Sequence, residues 1–155
     1  NLLRPIKIRL PKIRYNQKSF FKIQSILSKK KLDPLTHKII GCAYTVYNTL
    51  GSGFLESVYR KALSIEIETA GLTAESEKPL QVTYKGRSVG DFYVDLLVEN
   101  DLIIELKSVE RLAKIHEVQL VNYLNGLNKE IGLLINFGPT TVEVKRKYRR
   151  QVRRD

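Results

Sequence analysis

The sequence predicts an α/β domain in which a mixed β-sheet carries helices on both faces. The apolar residues of the chain are arranged in two ways, at helical spacing in some segments and in short strand-like runs in others. Two segments with helical spacing come first, three short runs rich in Val, Ile and Leu follow, and another helical segment precedes two more such runs. The expected order of elements is therefore α-α-β-β-β-α-β-β.

Three segments are expected to be helical, at residues 33–50, 54–70 and 113–127. Asp33 and Pro34 form a favourable start for the first helix, as its N-cap and its first helical residue. A glycine follows each of the first two helices and is a plausible stop. The expected apolar face of the second helix consists of Leu55, Val58, Tyr59, Ala62, Leu63 and Ile65.

Five strands are expected from the apolar runs, at residues 80–84, 90–98, 102–107, 131–137 and 140–145. The second and third strands are joined by a short polar turn, so they should form a hairpin. The fourth strand is apolar throughout and is expected near the centre of the sheet. The fifth is more polar.

The predicted hairpin carries the residues that say most about function. Glu105 and Lys107 are two residues apart in one strand, so they share a face, and Asp95 on the neighbouring strand can meet them. Charged groups are rarely placed among apolar residues without a partner or a metal. Two carboxylates can hold a divalent cation, and a nearby Lys can activate a water. The alternative is an ordinary Glu–Lys pair on the solvent face of the hairpin.

The Asp…Glu-x-Lys arrangement resembles that of the PD-(D/E)XK nuclease superfamily. The segment Gly53–Tyr59 resembles the signature of the GxxExxY protein family, a small branch of the same superfamily. Other segments similar to that family follow its order, namely Leu35–Gly41, Lys78–Leu80, Tyr84–Gly86 and Leu133–Gly138. The resemblance covers residues 33–138 and implies a restriction-endonuclease-like fold, a mixed sheet flanked by helices.

The resemblance implies roles for five residues around the hairpin. Asp95 and Glu105 would bind Mg²⁺ or Mn²⁺, and Glu56 and the Leu106 carbonyl would be further ligands. Lys107 would position the attacking water and stabilise charge on the scissile phosphate. From the residues alone, Glu56 can also be a helix-start carboxylate favoured by the helix dipole. If the site is not catalytic, no cofactor is expected.

The third helix adds candidate substrate contacts. Gln119 and Tyr123 lie four residues apart on one face and are similar to the Gln-x-x-x-Tyr element of helicase-associated nucleases in the superfamily. Both can hydrogen-bond to a phosphate or a metal-bound water. Alternatively, Tyr123 is a core residue and Gln119 is solvated. His116 is a candidate ligand, substrate contact or helix cap, and Tyr59, which shares a face with Glu56, is a further candidate substrate contact.

The charge of the chain is distributed unevenly. The net charge is +11, with +10 in residues 1–32, −4 in residues 33–138 and +5 in residues 139–155. We therefore expect a basic N-terminal extension, a nuclease-like domain, and a last strand with a basic C-terminal tail, with these boundaries. Cys42 is the single cysteine, which excludes an internal disulfide framework and any cysteine-based zinc or iron–sulfur cluster.

The basic ends are expected to bind nucleic acid phosphates, with a solvated tail as the alternative. The candidate residues are Arg4, Lys7, Arg9, Lys12, Arg14, Lys29, Lys30, Lys31, Lys145, Arg146, Lys147, Arg149 and Arg150. Membrane binding is not expected, because no sustained amphipathic stripe accompanies the charge and no apolar run is long enough to span a bilayer.

Two functions are compatible with these features. One is a Mg²⁺-dependent nuclease. The other is a non-catalytic, RNA-binding structural component of a large ribonucleoprotein, such as a mitochondrial ribosome, with ribosomal RNA and ribosomal proteins as partners. An intracellular location is expected for both. The basic, acid-poor and Ser-containing first residues are typical of mitochondrial targeting segments.

Overall fold

A computed structural model of the protein describes residues 17–150, apart from the side chains of residues 28–30. The described chain forms helices and strands in the predicted order. They are α1 (Gln17–Leu50), α2 (Glu56–Thr69), β1 (Ala74–Tyr84), β2 (Arg87–Val98), β3 (Leu102–Lys107), α3 (Lys114–Gly126), β4 (Ile131–Phe137) and β5 (Val142–Tyr148).

The strands form one mixed sheet in the order β1-β2-β3-β4-β5. β3 and β4 are parallel, and the other neighbours are antiparallel. Parallel neighbours need a crossover connection, and α3 provides it. β3 is the central strand. β4, which was expected near the centre, lies beside it and is buried at every residue.

Helices cover both faces of the sheet. α1 and α2 pack on the face that contains Leu133, whereas α3 packs on the face that contains Leu134. α3 approaches β4 closely at Gly132, because a Cβ there would lie 2.7 Å from Cδ1 of Leu120. The predicted arrangement, a mixed sheet between helices, is confirmed. Among the helices of residues 17–150, none is both long and apolar enough to cross a membrane.

α1 begins at Gln17, so its predicted start at Asp33 is wrong. Pro34 lies inside the helix, where it removes one backbone donor. A long-range contact supports the helix at this point. The Arg146 guanidinium donates to Oδ1 of Asp33 at 2.8 Å and to Oγ1 of Thr36 at 2.7 Å. The expected boundary after the N-terminal extension therefore falls within a continuous helix.

The apolar face of α2 is narrower than predicted. Tyr59, Leu63 and Ile67 are fully buried, at intervals of four residues. Leu55, Val58 and Ile65 are exposed, although all three were expected on the buried face. α2 thus presents one stripe of side chains to the sheet and leaves its flanks to solvent.

The first two strands form a long hairpin. β1 begins at Ala74, earlier than predicted, and pairs with β2 from Ala74–Val98 to Tyr84–Arg87. Lys85 (φ 48°) and Gly86 (φ 75°) form the turn, and positive φ at both positions suits the twist of a two-residue hairpin loop. At the other edge of the sheet, β5 begins and ends later than predicted.

Candidate active site

Asp95 and Glu105 meet where β2 and β3 separate. The regular pairing of the two strands reaches Leu96 and Ile104. At the next step the Asp95 N–H donates to Oε1 of Glu105 at 3.1 Å, and the Leu106 N–H donates to Oδ2 of Asp95 at 2.8 Å. The two acidic residues are only 8% and 4% exposed. The carboxylates that were expected to meet across the hairpin do so, and backbone donors hold them there.

An irregularity in β2 determines where Asp95 lies. Val94 packs with α3, whereas Leu96 packs with the helices on the opposite face, although strict alternation would place both on one face. On β1, Glu77 lies between the partners of these two residues and has φ of 53°, which is unusual for a residue with a side chain. Asp95 therefore lies where the alternation of β2 shifts from one face to the other.

The two carboxylates repel each other in a buried environment. Burial, with a further contribution from Asp95, raises the pKa of Glu105 to about 9. Mg²⁺ and Mn²⁺ prefer carboxylate oxygens as ligands. A divalent cation held by both side chains would offset their repulsion, so this pair of donors fits such an ion.

Lys107 and Glu56 lie close to the pair. Lys107 is the last residue of β3, and its positive charge opposes the rise in the pKa of both Glu105 and Glu56. Burial raises the pKa of Glu56, and Asp95 adds to that rise. Within residues 17–150, however, no three Asp, Glu, His or Cys side chains are arranged to hold a metal ion. Glu56 is thus a neighbour of the pair and does not form a three-carboxylate cluster with it.

Arg60 was not expected from the sequence, yet it contacts Asp95 directly. Its Nη1 lies 3.4 Å from Oδ1 of Asp95, and its Nη2 lies 3.2 Å from Oε1 of Glu77. The guanidinium therefore compensates the charge of Asp95 from the side of α2. The sole signal in the sequence is that Arg60 follows Glu56 by four residues, which places both on one helix face.

α3 brings Gln119 and Tyr123 to the same place. Nε2 of Gln119 donates to the Tyr123 hydroxyl at 2.8 Å. Burial raises the pKa of Tyr123, and the negative charges of Glu105 and Asp95 add to the rise, so the phenol lies near both carboxylates. Because the hydroxyl accepts the bond from Gln119, its own hydrogen can be donated to a substrate oxygen.

A comparison with known protein families identifies the superfamily of the domain. The sequence profile of the PD-(D/E)XK nuclease superfamily matches residues 33–150. The chain belongs to this superfamily. No curated protein matches it. The solved structures that match include the crystal structure of SSO0001, at 18% identity and a TM-score of 0.49. That match covers 62% of this chain and 50% of SSO0001, so the chain spans half the length of that protein.

Two expected substrate contacts have structural roles in this PD-(D/E)XK domain. Tyr59 is fully buried, stacks on Phe137 with ring centroids 4.3 Å apart, and donates its hydroxyl to the Gly51 carbonyl at 2.6 Å. His116 accepts the Ala113 N–H on Nδ1 at 3.0 Å, which caps the start of α3. Tyr59 therefore supports the loop before α2. Of the three roles predicted for His116, namely ligand, substrate contact and helix cap, it is found in the last.

The basic residues of β5 form ion pairs within the PD-(D/E)XK domain. Lys147 and Lys145 both contact the Glu117 carboxylate, and these hydrogen bonds hold its pKa at about 2. Arg146 contacts α1 as described above, and Arg149 contacts Glu130. These residues remain the predicted nucleic-acid contacts together with Arg150, but part of their charge is already compensated.

Among the predicted N-terminal contacts, Lys31 lies in the described part of the chain with its side chain. Lys31 pairs with Asp101 at 2.8 Å, and both side chains are exposed. The side chains of Lys29 and Lys30 lie outside the described part, as do Arg4, Lys7, Arg9, Lys12 and Arg14.

Proposed function

We propose that the protein is a metal-dependent nuclease that cleaves phosphodiester bonds. The observation that carries the proposal is the buried carboxylate pair of Asp95 and Glu105, with Lys107 two residues farther along β3. Ionising both buried acidic groups costs stability, because each loses hydration and the two charges repel, and the raised pKa of Glu105 reflects this cost. Ionisable groups with strongly perturbed pKa values cluster at functional sites for this reason.

The residues of the site have different roles in the proposed hydrolysis. Asp95 and Glu105 would hold Mg²⁺ or Mn²⁺, with the Leu106 carbonyl as a further ligand and Glu56 as a neighbouring carboxylate outside the ligand set. Such an ion supplies an activated water and polarises the phosphoryl oxygens. Lys107 positions the attacking water and stabilises the negative charge that develops on the scissile phosphate.

Gln119 and Tyr123 bind the substrate backbone in this proposal. The Gln119 amide orients the Tyr123 hydroxyl, which donates to a phosphate oxygen beside the carboxylate pair. Such contacts position a strand without reading its bases.

We also propose that the domain belongs to the GxxExxY branch of the superfamily. The support is the arrangement of Gly53, Glu56 and Tyr59. Gly53 has φ of 98°, a conformation that side chains disfavour, and the Tyr59 hydroxyl accepts the Phe54 N–H at 3.3 Å. The signature residues thereby hold the turn that sets Glu56 at the start of α2, beside the carboxylate pair.

The test is cleavage of labelled DNA and RNA by the full chain with Mg²⁺, compared with Lys107→Ala. We expect Lys107→Ala to lose at least about 100-fold in cleavage rate, as for other single groups that stabilise a transition-state oxyanion. Its affinity for the same oligonucleotides should change little. Equal cleavage rates for the two proteins would show that the mechanism is wrong.

The charge distribution favours a second candidate function, a structural RNA-binding component of a large ribonucleoprotein such as a mitochondrial ribosome. The net charges of +10 and +5 at the two ends flank a domain with −4, and basic extensions of this kind bind RNA phosphates. This candidate predicts that the native protein sediments with a large RNA particle and is released when the basic residues of segment 1–32 are replaced by Gln, which keeps the helix α1 intact. Sedimentation as a small free protein counts against it.

A further inference from the structure

We infer, on the basis of the proposed nuclease function, that the β1–β2 hairpin holds an unstacked base of the substrate on the ring of Phe92. The far half of this hairpin, residues 80–92, exposes several apolar side chains to solvent. Its exposed apolar side chains include Val82, Tyr84, Val89 and Phe92. Exposed apolar surface beside a proposed catalytic site is typical of a substrate contact.

Phe92 is fixed in position on the same face of the sheet as α3. It pairs with Leu80, which is buried in the cluster that packs on α3. The Phe92 ring lies 6.1 Å from the Tyr123 ring, between centroids, at an angle of 49°. Its far end covers Gly90, where a Cβ would lie 2.9 Å from Cε2 of Phe92. The ring is therefore held between Gly90 and Tyr123, and 44% of the residue remains exposed.

The Phe92 ring lies next to the candidate active site. Tyr123, which it contacts, lies near Asp95 and Glu105. Phe92 also precedes Asp95 by three residues in β2, which corresponds to about 10 Å along a strand. A base lying on Phe92 would thus belong to a nucleotide next to the one whose phosphate meets the carboxylate pair.

The chemistry of the surface selects one kind of ligand. Nucleobases stack on aromatic rings with little dependence on sequence, because every base has a π face. Inside a duplex both faces of a base are covered by its neighbours, so Phe92 can receive only a base from a single strand or a locally unpaired region. Lys85 and Arg87 at the exposed end of the hairpin add positive charge for the backbone of such a strand.

The experiment uses the full chain with Lys107→Ala, so that the oligonucleotide stays intact. Binding of single-stranded and duplex oligonucleotides is measured by fluorescence anisotropy, and stacking by the fluorescence of 2-aminopurine in the single strand. Phe92→Ala should weaken single-strand binding about tenfold. It should also restore the fluorescence of 2-aminopurine in the bound strand, because the base can no longer stack on the ring. Phe92→Trp should retain both properties. Tyr93→Ala is the matched control, because Tyr93 is an exposed aromatic residue on the opposite face of the same strand.

Several results would overturn the inference. They are unchanged single-strand binding in Phe92→Ala, an equal loss in Tyr93→Ala, an equal loss for duplex binding, or no binding of any oligonucleotide. The first of these results would leave the hairpin surface as a candidate contact for a protein partner. Cleavage by the chain with an intact Lys107, measured in parallel, reports on the nuclease function separately, so the failure of one proposal can be distinguished from that of the other.

Discussion

Arg60 is expected to stabilise the folded domain, because it compensates the buried charge of Asp95. Replacing it by Ala removes the contacts to Asp95 and to Glu77, and leaves the Asp95 carboxylate with the Leu106 N–H as its donor. The side chains of Arg60 and Asp95 are 19% and 11% exposed, so the pair lies between the buried and the exposed cases.

The size of the effect follows from these exposures. Exposed ion pairs contribute about 0–1 kcal/mol, and removing one partner of a fully buried pair costs about 3–5 kcal/mol. The distance of 3.4 Å between Nη1 and Oδ1 is long for a charged hydrogen bond, which reduces the contribution. We therefore expect Arg60→Ala to lower the free energy of unfolding by about 2 kcal/mol. For a chain of this length, that corresponds to a fall in Tm of about 4–8 °C.

Thermal unfolding in EDTA and in saturating Mg²⁺ measures this effect. Because the guanidinium and a cation would compete for Asp95, Mg²⁺ should raise the Tm of Arg60→Ala more than that of the parent protein. The control is Lys61→Ala, since Lys61 is exposed on α2 and forms no ion pair with the residues in the described range. If Arg60→Ala and Lys61→Ala have the same Tm in EDTA, the assigned role of Arg60 is refuted.

Two further predictions concern the packing of α3. Gly132→Ala should lower the free energy of unfolding in urea by about 1–3 kcal/mol, because the new Cβ would lie 2.7 Å from Leu120; an unchanged midpoint would contradict the close approach. Glu117→Gln should lower Tm at neutral pH, because its contacts to Lys147 and Lys145 hold the pKa of Glu117 at about 2, below the ordinary value of 4.5. The stabilisation by Glu117 is present above pH 4.5 and is lost as pH falls towards 2. The Tm values of the two proteins should therefore converge over that range. A constant difference in Tm would show that the charge of the Glu117 carboxylate is not the source of the stabilisation.

The element order and the meeting of Asp95 with Glu105 were accessible from the sequence, because both follow from local patterns. β3 and β4 have the predicted bounds, since each is an apolar run that ends at polar or turn residues. The polar turn at residues 99–101 then sets the register that brings Asp95 opposite Glu105.

The features that were missed depend on contacts between distant residues. The start assigned to α1 followed the preference of Pro34 for a first helical position, but a contact from Arg146 supports the helix through this point. The Arg60 contact requires the shift of alternation in β2, which accompanies the left-handed backbone of Glu77. No local pattern contains this information.

The proposal that Asp95 and Glu105 hold a divalent metal ion can be tested by measuring Mn²⁺ binding. A cleavage assay depends on the choice of substrate, whereas titration of Mn²⁺ followed by electron paramagnetic resonance does not. We expect the parent protein to bind Mn²⁺ and Asp95→Asn to bind it with at least about tenfold lower affinity. Asp91→Asn, in which an exposed carboxylate of the same strand is replaced, should bind as the parent does. Equal Mn²⁺ affinity in the parent and Asp95→Asn would show that Asp95 is not a metal ligand.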